Sequence, residues 1–257
     1  LNALDIIGLD KYTTMLTGKG HTPQTSVRSD TTAVNGLPSV AHYIKKIFVV
    51  SDNDAYNRLY EFIGQQDLNQ ALWAKGFADT RIIHRLSAPG YDVESNRYTN
   101  PVSFYDENGK LLYHQGERYT LAETDFDLEK SVRGKGYMNN QGEIVNEPFD
   151  FRTKNYVSLR NLHDMLKVLL FPESVPEEQR FDLTAKDYQF LHQLMATLPG
   201  ESKHPNYSDK PDGYVKFFLY GGTVPEVPEH IRIFNKVGDA YGFLTDVAYV
   251  VDFENNV

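Results

Sequence analysis

Two short stretches of the chain carry side chains that chemistry could use. Ser51-Asp52-Asn53 presents a hydroxyl, a carboxylate and a carboxamide on a turn, between the apolar run Ile44 to Val50 and the helical pattern Ala55 to Ile63. Near the other end, Phe234-Asn235-Lys236-Val237-Gly238-Asp239 offers an ammonium two residues before a glycine. On a turn the three polar groups of the first stretch can point into a cleft and serve catalysis. Each stretch also has a plainer reading. Ser, Asp and Asn cap helices, because their side-chain oxygens accept from the unpaired N–H groups of a first turn. A single lysine at a strand end is ordinarily solvated.

Composition narrows the classes of function. The 257 residues are 40% hydrophobic and 13% aromatic, enough for a real core in one large domain or one domain with a big insertion. A net charge of -9 argues against a nucleic-acid or anionic-membrane surface, which calls for clustered Lys and Arg. The longest apolar runs, around Ile47 to Val50 and Met165 to Phe171, fall far short of the roughly 18 to 20 residues that span a bilayer. Cysteine is absent, which excludes disulfides, a thiol nucleophile and thiolate metal sites and suits either cytoplasm or periplasm. The eight His are scattered singly, without His-x-His or His-Glu-x-x-His, which argues against a zinc hydrolase. No metal and no cofactor are expected.

The elements that must position the two motifs follow from start and stop signals. Ser39 caps a helix from Val40 to Val50, with Tyr43, Ile44, Ile47 and Phe48 on one side. After the turn come Ala55, Leu59, Phe62 and Ile63, closed by Gly64; Asp67 starts a further helix, Leu68 to Lys75, ended by Gly76. Before them, Leu1 to Ile7 reads as a helix tail stopped by Gly8, and residues 9–38 as loops with at most a short helix. Residues 80–157 read as an insertion or elaborated loop. Within it, Val102 to Tyr105 and Leu111 to His114 form a hairpin, and Tyr137 to Asn139 with Glu143 to Val145 a second one around Asn140-Gln141-Gly142. The many Tyr and Asp of 91–137 suit a decorated surface loop, with a binding groove as the other reading. Ser158 caps Leu159 to Phe171, and Thr184 with Asp187 forms a capping box for a helix to about Leu198. Ile231 to Val237 and Tyr241 to Phe253 form an antiparallel pair joined at Gly238-Asp239-Ala240. Helices, an irregular stretch, more helices and then sheet make an α+β fold in a single domain over 1–257.

Taken together, the two motifs resemble the serine β-lactamase and penicillin-binding superfamily, class A-like. Its signature joins Ser-x-x-Lys, Ser-Asp-Asn and Lys-Thr-Gly. The run Ser51-Asp52-Asn53-Asp54-Ala55-Tyr56-Asn57-Arg58-Leu59 is similar to the Ser-Asp-Asn-x-Ala-x-Asn-x-Leu run of class A sequences, and Lys236-Val237-Gly238 stands where Lys-Thr-Gly would. The resemblance covers most of 36–77, 155–200 and 231–252. It implies a helical lobe packed with an antiparallel sheet, and acyl-enzyme chemistry on a β-lactam or a related amide or ester. Such chemistry needs a serine that loses its proton, an oxyanion hole, a proton route to the leaving nitrogen and a cation for the substrate carboxylate. By resemblance Ser51 relays the proton, Asn53 holds the substrate amide and the active-site lysine, and Asp52 is a buried structural acceptor. Lys236 attracts the carboxylate, Gly238 lets substrate lie against the strand, and the Asp239 N–H supplies half of the oxyanion hole.

Several departures bear on that expectation. No Ser-x-x-Lys occurs in the 257 residues, since Ser39 is followed by His42, Ser131 by Gly134 and Ser158 by Asn161. With Leu1 in place of an initiator Met and the end at Val257, the chain reads as cut at both ends, and alone it is expected to be inactive. Val237 replaces the hydroxyl residue that helps bind the carboxylate. The stretch Ile83-His84-Arg85-Leu86-Ser87, where the family carries a deacylating glutamate, has no acidic residue, and Glu94 is the nearest. A long-lived acyl-enzyme or a substrate other than a β-lactam follows. Three functions stay open: a periplasmic or secreted β-lactamase-like serine hydrolase, a penicillin-binding-type peptidase or esterase, and a non-catalytic binding protein on the same fold. The expected partner is a small-molecule or peptidoglycan-like substrate.

Overall fold

Ser39 opens the helix that carries the first motif: its hydroxyl accepts from the His42 N–H at 3.2 Å, and its extended backbone turns the chain into α2 (Val40–Val50). The computed structural model describes residues 1–122, 128, 130–139 and 141–257. Ahead of α2 lie α1 (Asn2–Ile6) and a strand, β1 (Thr14–Thr17). After it come α3 (Asn53–Ile63), α4 (Gln65–Ala74) and a run of short strands: β2 (Thr80–Arg81), β3 (Tyr98–Thr99), β4 (Val102–Tyr105), β5 (Leu111–Gln115), β6 (Arg118–Tyr119), β7 (Val132–Arg133), β8 (Tyr137–Met138), β9 (Ile144–Val145), β10 (Phe149–Asp150) and β11 (Tyr156–Val157). The chain then forms α5 (Leu159–Leu170), α6 (Ala185–Ala196), α7 (Phe217–Tyr220), β12 (Ile231–Ala240) and β13 (Phe243–Asp252). Every strand pairing among the described residues is antiparallel, so the fold is α+β.

The main core joins the helical part to the small sheet β1–β4–β5. Leu4, Met15, Val40, Tyr43, Ile44, Ala55, Phe62, Val102, Phe104, Leu191 and Leu194 are buried together in it. A second cluster of Leu198, Val227, Ile231 and Ile233 lies under β12. Along β12 the buried residues alternate, with Ile231, Ile233, Asn235 and Val237 inward, which is the period of a half-buried strand. Helix α6, opened by the Thr184–Asp187 capping box, contributes Leu191 and Leu194 to the first cluster, and Leu198 just beyond it belongs to the second.

A buried ionic group fastens α3 to the loop that follows β2. Glu61, 1% exposed, accepts from Arg58 Nη1 at 2.9 Å and from Arg85 Nε at 2.8 Å. Arg85 also donates to the Tyr98 carbonyl and to Asn100 Oδ1, both at 3.0 Å, so its guanidinium is hydrogen-bonded well beyond the one carboxylate.

Four details differ from the sequence reading. Residues 14–17 form a strand inside the stretch read as loops, because Met15 and Thr17 alternate inward against β4. Helix α4 begins at Gln65, ahead of Asp67. Gly64, at φ 86°, ends one helix and starts the next, and Arg118 satisfies the freed carbonyls of Phe62 and Ile63. Asp67 falls in the first turn, where an anion suits the helix dipole, and pairs with Arg118 at 2.7 Å. The link between β12 and β13 is Tyr241-Gly242, so Gly238 and Asp239 lie within β12 opposite Thr245 and Leu244. Both linking residues have positive φ, 57° and 85°, the backbone of the two-residue turns that match strand twist. The second hairpin of residues 80–157 narrows to β8 and β9, and Asn140 of its expected turn is outside the described residues.

Candidate active site

At the end of α2 the chain leaves the helix through Ser51, whose backbone is left-handed at φ 57° and ψ 44°. Asp52 is extended and caps α3, its Oδ1 accepting from the Ala55 N–H at 2.8 Å. The capping reading of this stretch therefore holds for Asp52, and it leaves Ser51 free to face elsewhere. Its partner comes from β12. Lys236 Nζ donates to Ser51 Oγ at 2.7 Å and to the Val237 carbonyl at 2.7 Å, which brings the two motifs together. Burial strips water from the ammonium and lowers the Lys236 pKa to about 8, against the opposing pull of Asp246.

Behind the turn runs a chain of charges. Lys46 Nζ lies 3.3 Å from Asp52 Oδ2 and 3.2 Å from Asp30 Oδ2, and the His42 Nε2 is 3.0 Å from that same Asp30 oxygen. Burial works against both charged forms here, but the two carboxylates outweigh it at Lys46 and raise its pKa. At Asp30 the hydrogen bonds from Thr32, with Lys46 and His42, overcome burial and hold the carboxyl well below the usual carboxylate range. Asp52 is half-buried and ion-paired, which is a more solvated position than the buried acceptor expected of it.

Asn53 faces the loop after β2. Its Nδ2 donates to Ser87 Oγ at 2.9 Å, and Ser87 takes a left-handed backbone at φ 46°. Asn57, one helical turn on, brackets the neighbouring residue, donating to the Leu86 carbonyl at 2.9 Å and accepting from the Leu86 N–H at 2.7 Å. The stretch 83–87 thus sits beside the Ser-Asp-Asn turn, and it brings no carboxylate there. Glu94 instead accepts from the Tyr119 hydroxyl at 2.9 Å at the surface. His84 is engaged at both ring nitrogens: Nε2 accepts from the Asn155 N–H at 3.0 Å, so Nδ1 carries the proton toward the Arg85 carbonyl. Burial lowers its pKa, and the ring is neutral.

Gly238 and Asp239 are exposed on β12, two and three residues beyond Lys236. A Cβ at Gly238 would meet nothing nearer than Thr245 at 3.9 Å, so the glycine leaves open strand surface and is not demanded by crowding. Val237 faces inward and is 8% exposed. Among the described residues no group of three or more His, Cys, Asp or Glu could hold a metal ion, and no helix is long and apolar enough to cross a membrane. Sequence reasoning missed Lys46, Asp30 and Ser87. Ser87 was within reach as the serine of the loop stretch, whereas the Asp30–Lys46 contact crosses a loop and a helix with no local signature.

The pairing of a Ser-Asp-Asn turn with a strand lysine in an α+β fold defines a class of serine hydrolases, and comparison with known families agrees. The model of the Beta-lactamase enzyme family (Beta-lactamase2) matches residues 11–180. The chain belongs to that family. The match takes in the Ser-Asp-Asn turn and runs through residues 80–157, while Lys236 lies beyond it and joins the site by geometry. No curated protein matches the chain.

Proposed function

We propose that this protein is a periplasmic or secreted serine hydrolase that opens a β-lactam, or a related amide or ester, through an acyl-enzyme. The observation that carries the reading is the 2.7 Å hydrogen bond from Lys236 to Ser51. Because Lys236 donates to Ser51 Oγ, the Ser51 hydroxyl proton is free to point at a leaving nitrogen. When a serine nucleophile, which the 257 residues do not identify, loses its proton to a base and adds to the carbonyl, and the C–N bond breaks, Ser51 gives its proton to that nitrogen and takes one from the Lys236 ammonium, which regains a proton from solvent. An ammonium with a pKa near 8 is mostly charged at neutral pH, so it attracts a substrate carboxylate, yet it exchanges protons readily. Asn53 holds the substrate amide, with Asp52 and Lys46 fixing the turn. Substrate lies along Gly238, and the Asp239 N–H polarises the carbonyl.

A second reading, a penicillin-binding-type peptidase or esterase, is favoured by two observations. Val237 is buried and offers no hydroxyl to a carboxylate, and the loop at 83–87 has no carboxylate to activate a deacylating water, while both ring nitrogens of its His84 are already engaged. The test is intact-mass analysis of the full-length gene product with a fluorescent penicillin and with nitrocefin, beside its Lys236→Ala variant. An adduct or turnover that the variant loses supports the proposal, and turnover separates a lactamase from slow acylation. Absence of both leaves esterase or binding functions.

A further inference from the structure

The turn that joins β12 to β13 breaks a local rule. Two-residue turns with positive φ favour Asn, Asp or Gly at their first position, because a bulky side chain is strained there. This chain puts Tyr241 there, at φ 57°. The ring has a use: it stacks on Phe149 with centroids 4.2 Å apart and planes 25° from parallel. Phe151 meets Phe243, just past the turn, edge-on at 5.3 Å, and Lys154 Nζ lies 5.2 Å from the Tyr241 ring centre. Gly134, also at positive φ, lets Phe243 come close: a Cβ at that position would be 3.2 Å from the ring. Segment 149–155 therefore grips the hairpin tip.

Its other end grips the opposite side of the site. Asn155 Oδ1 accepts from the N–H groups of Ile83 and His84 at 2.8 and 3.1 Å, and its backbone N–H is the donor to His84 Nε2. Arg81, 1% exposed, donates to the carbonyls of Arg152 and Lys154 at 2.9 and 3.0 Å, which holds the middle of the segment against the body of the protein. The 83–87 loop that touches Asn53 and the strand carrying Lys236 and Gly238 are the two sides between which the functional reading lays substrate. Within the seven residues 149–155, Phe149, Phe151 and Lys154 touch the hairpin tip at Tyr241 and Phe243, and Asn155 touches Ile83 and His84.

We infer that segment 149–155 is a positioning strut, which fixes the hairpin tip relative to the 83–87 loop and so sets the width of the cleft in which substrate would lie. The assignment of the cleft rests on the functional reading above, while the strut itself can be tested without substrate. The experiment is amide hydrogen exchange on the protein and on Phe149→Ala, with Phe149→Leu as the variant that keeps apolar volume but loses the stack. Both should exchange the amides of 238–244 roughly tenfold faster, with those of 231–235 unchanged. Unchanged exchange at 238–244 in Phe149→Leu overturns the strut. In the full-length product the same variants should lower the rate of acylation at low substrate and leave its pH dependence intact. Faster exchange with acylation at the normal rate overturns the positioning role. If the unaltered protein acylates with no β-lactam, the functional reading fails, and the exchange result still decides the strut.

Discussion

Lys236 reaches Ser51 through a single 2.7 Å hydrogen bond between residues 185 positions apart in the chain. The contact joins a strand lysine to a serine placed by a left-handed helix end, and burial has already moved that lysine toward neutrality. Acylation of the full-length product should therefore show a pH dependence that breaks near 8. Lys236→Arg keeps the charge but removes a titration in this range, because a guanidinium does not deprotonate. The break should vanish in that variant. A break that persists would assign the titration to another group.

Asp52 acts on the same turn by a different route. It caps α3 and pairs with Lys46, so Asp52→Ala removes one acceptor from the first turn and one of the two carboxylates around a half-buried ammonium. The expected loss in urea denaturation is about 1 to 2 kcal/mol. Asp52→Asn retains the capping oxygen and should lose less. Equal losses would mean that the ion pair with Lys46, and not the cap, carries the effect.

What could be read from the sequence was what neighbouring residues decide. Ser39, Ser158 and the Thr184–Asp187 pair announce their helices because a cap and its target N–H groups lie three residues apart. The meeting of Ser51 with Lys236 was legible only because two motifs are each recognisable alone. The four residues of β1, closed by Gly18, carry almost no periodic signal of their own, and pairing with β4 makes them a strand. The hairpin turn was misplaced by three residues because Tyr241 is a poor choice for a left-handed position, and the ring contact that compensates comes from Phe149. Lys46 with Asp30 and Asn53 with Ser87 are contacts between segments, for which local spacing holds no rule.

The buried Glu61 offers a sharper stability test than any surface pair. Glu61→Gln leaves Arg58 and Arg85 in place with their shared counter-charge gone, and both guanidinium groups are shielded from water. Breaking such a group from one side costs about 3 to 5 kcal/mol. The midpoint of urea unfolding should fall accordingly, and since Arg85 leads directly to Leu86 and Ser87, exchange of amides 84–88 should quicken in the native state. A loss under about 1 kcal/mol would show that water or rearrangement relieves the two cations.

Lys216 supplies a pH test independent of any activity. It is fully buried, and its ammonium donates to the carbonyls of Met195 and Ile233 and to Asn235 Oδ1, each at 2.8 Å. Burial lowers its pKa to about 8 from 10.5, with Asp246 and Glu201 pulling the other way. In the unfolded chain the lysine holds its proton up to the higher value, so between these limits the unfolded state binds more protons and stability must rise with pH. Below pH 8 both states are protonated and the contribution is constant. Lys236 adds a rise of the same sign over the same window. Above about pH 10 the buried Tyr43, Tyr56 and Tyr60, whose pKa values burial raises, act in the opposite direction, so the useful window is pH 8 to 10. Urea denaturation across that window should give a rising free energy, and Lys216→Met should remove a large part of the slope, with Lys236 and Lys45, whose pKa values burial also lowers, supplying the rest. An unchanged slope in Lys216→Met would show that the folded protein keeps this lysine charged through pH 10, held so by its three oxygen partners.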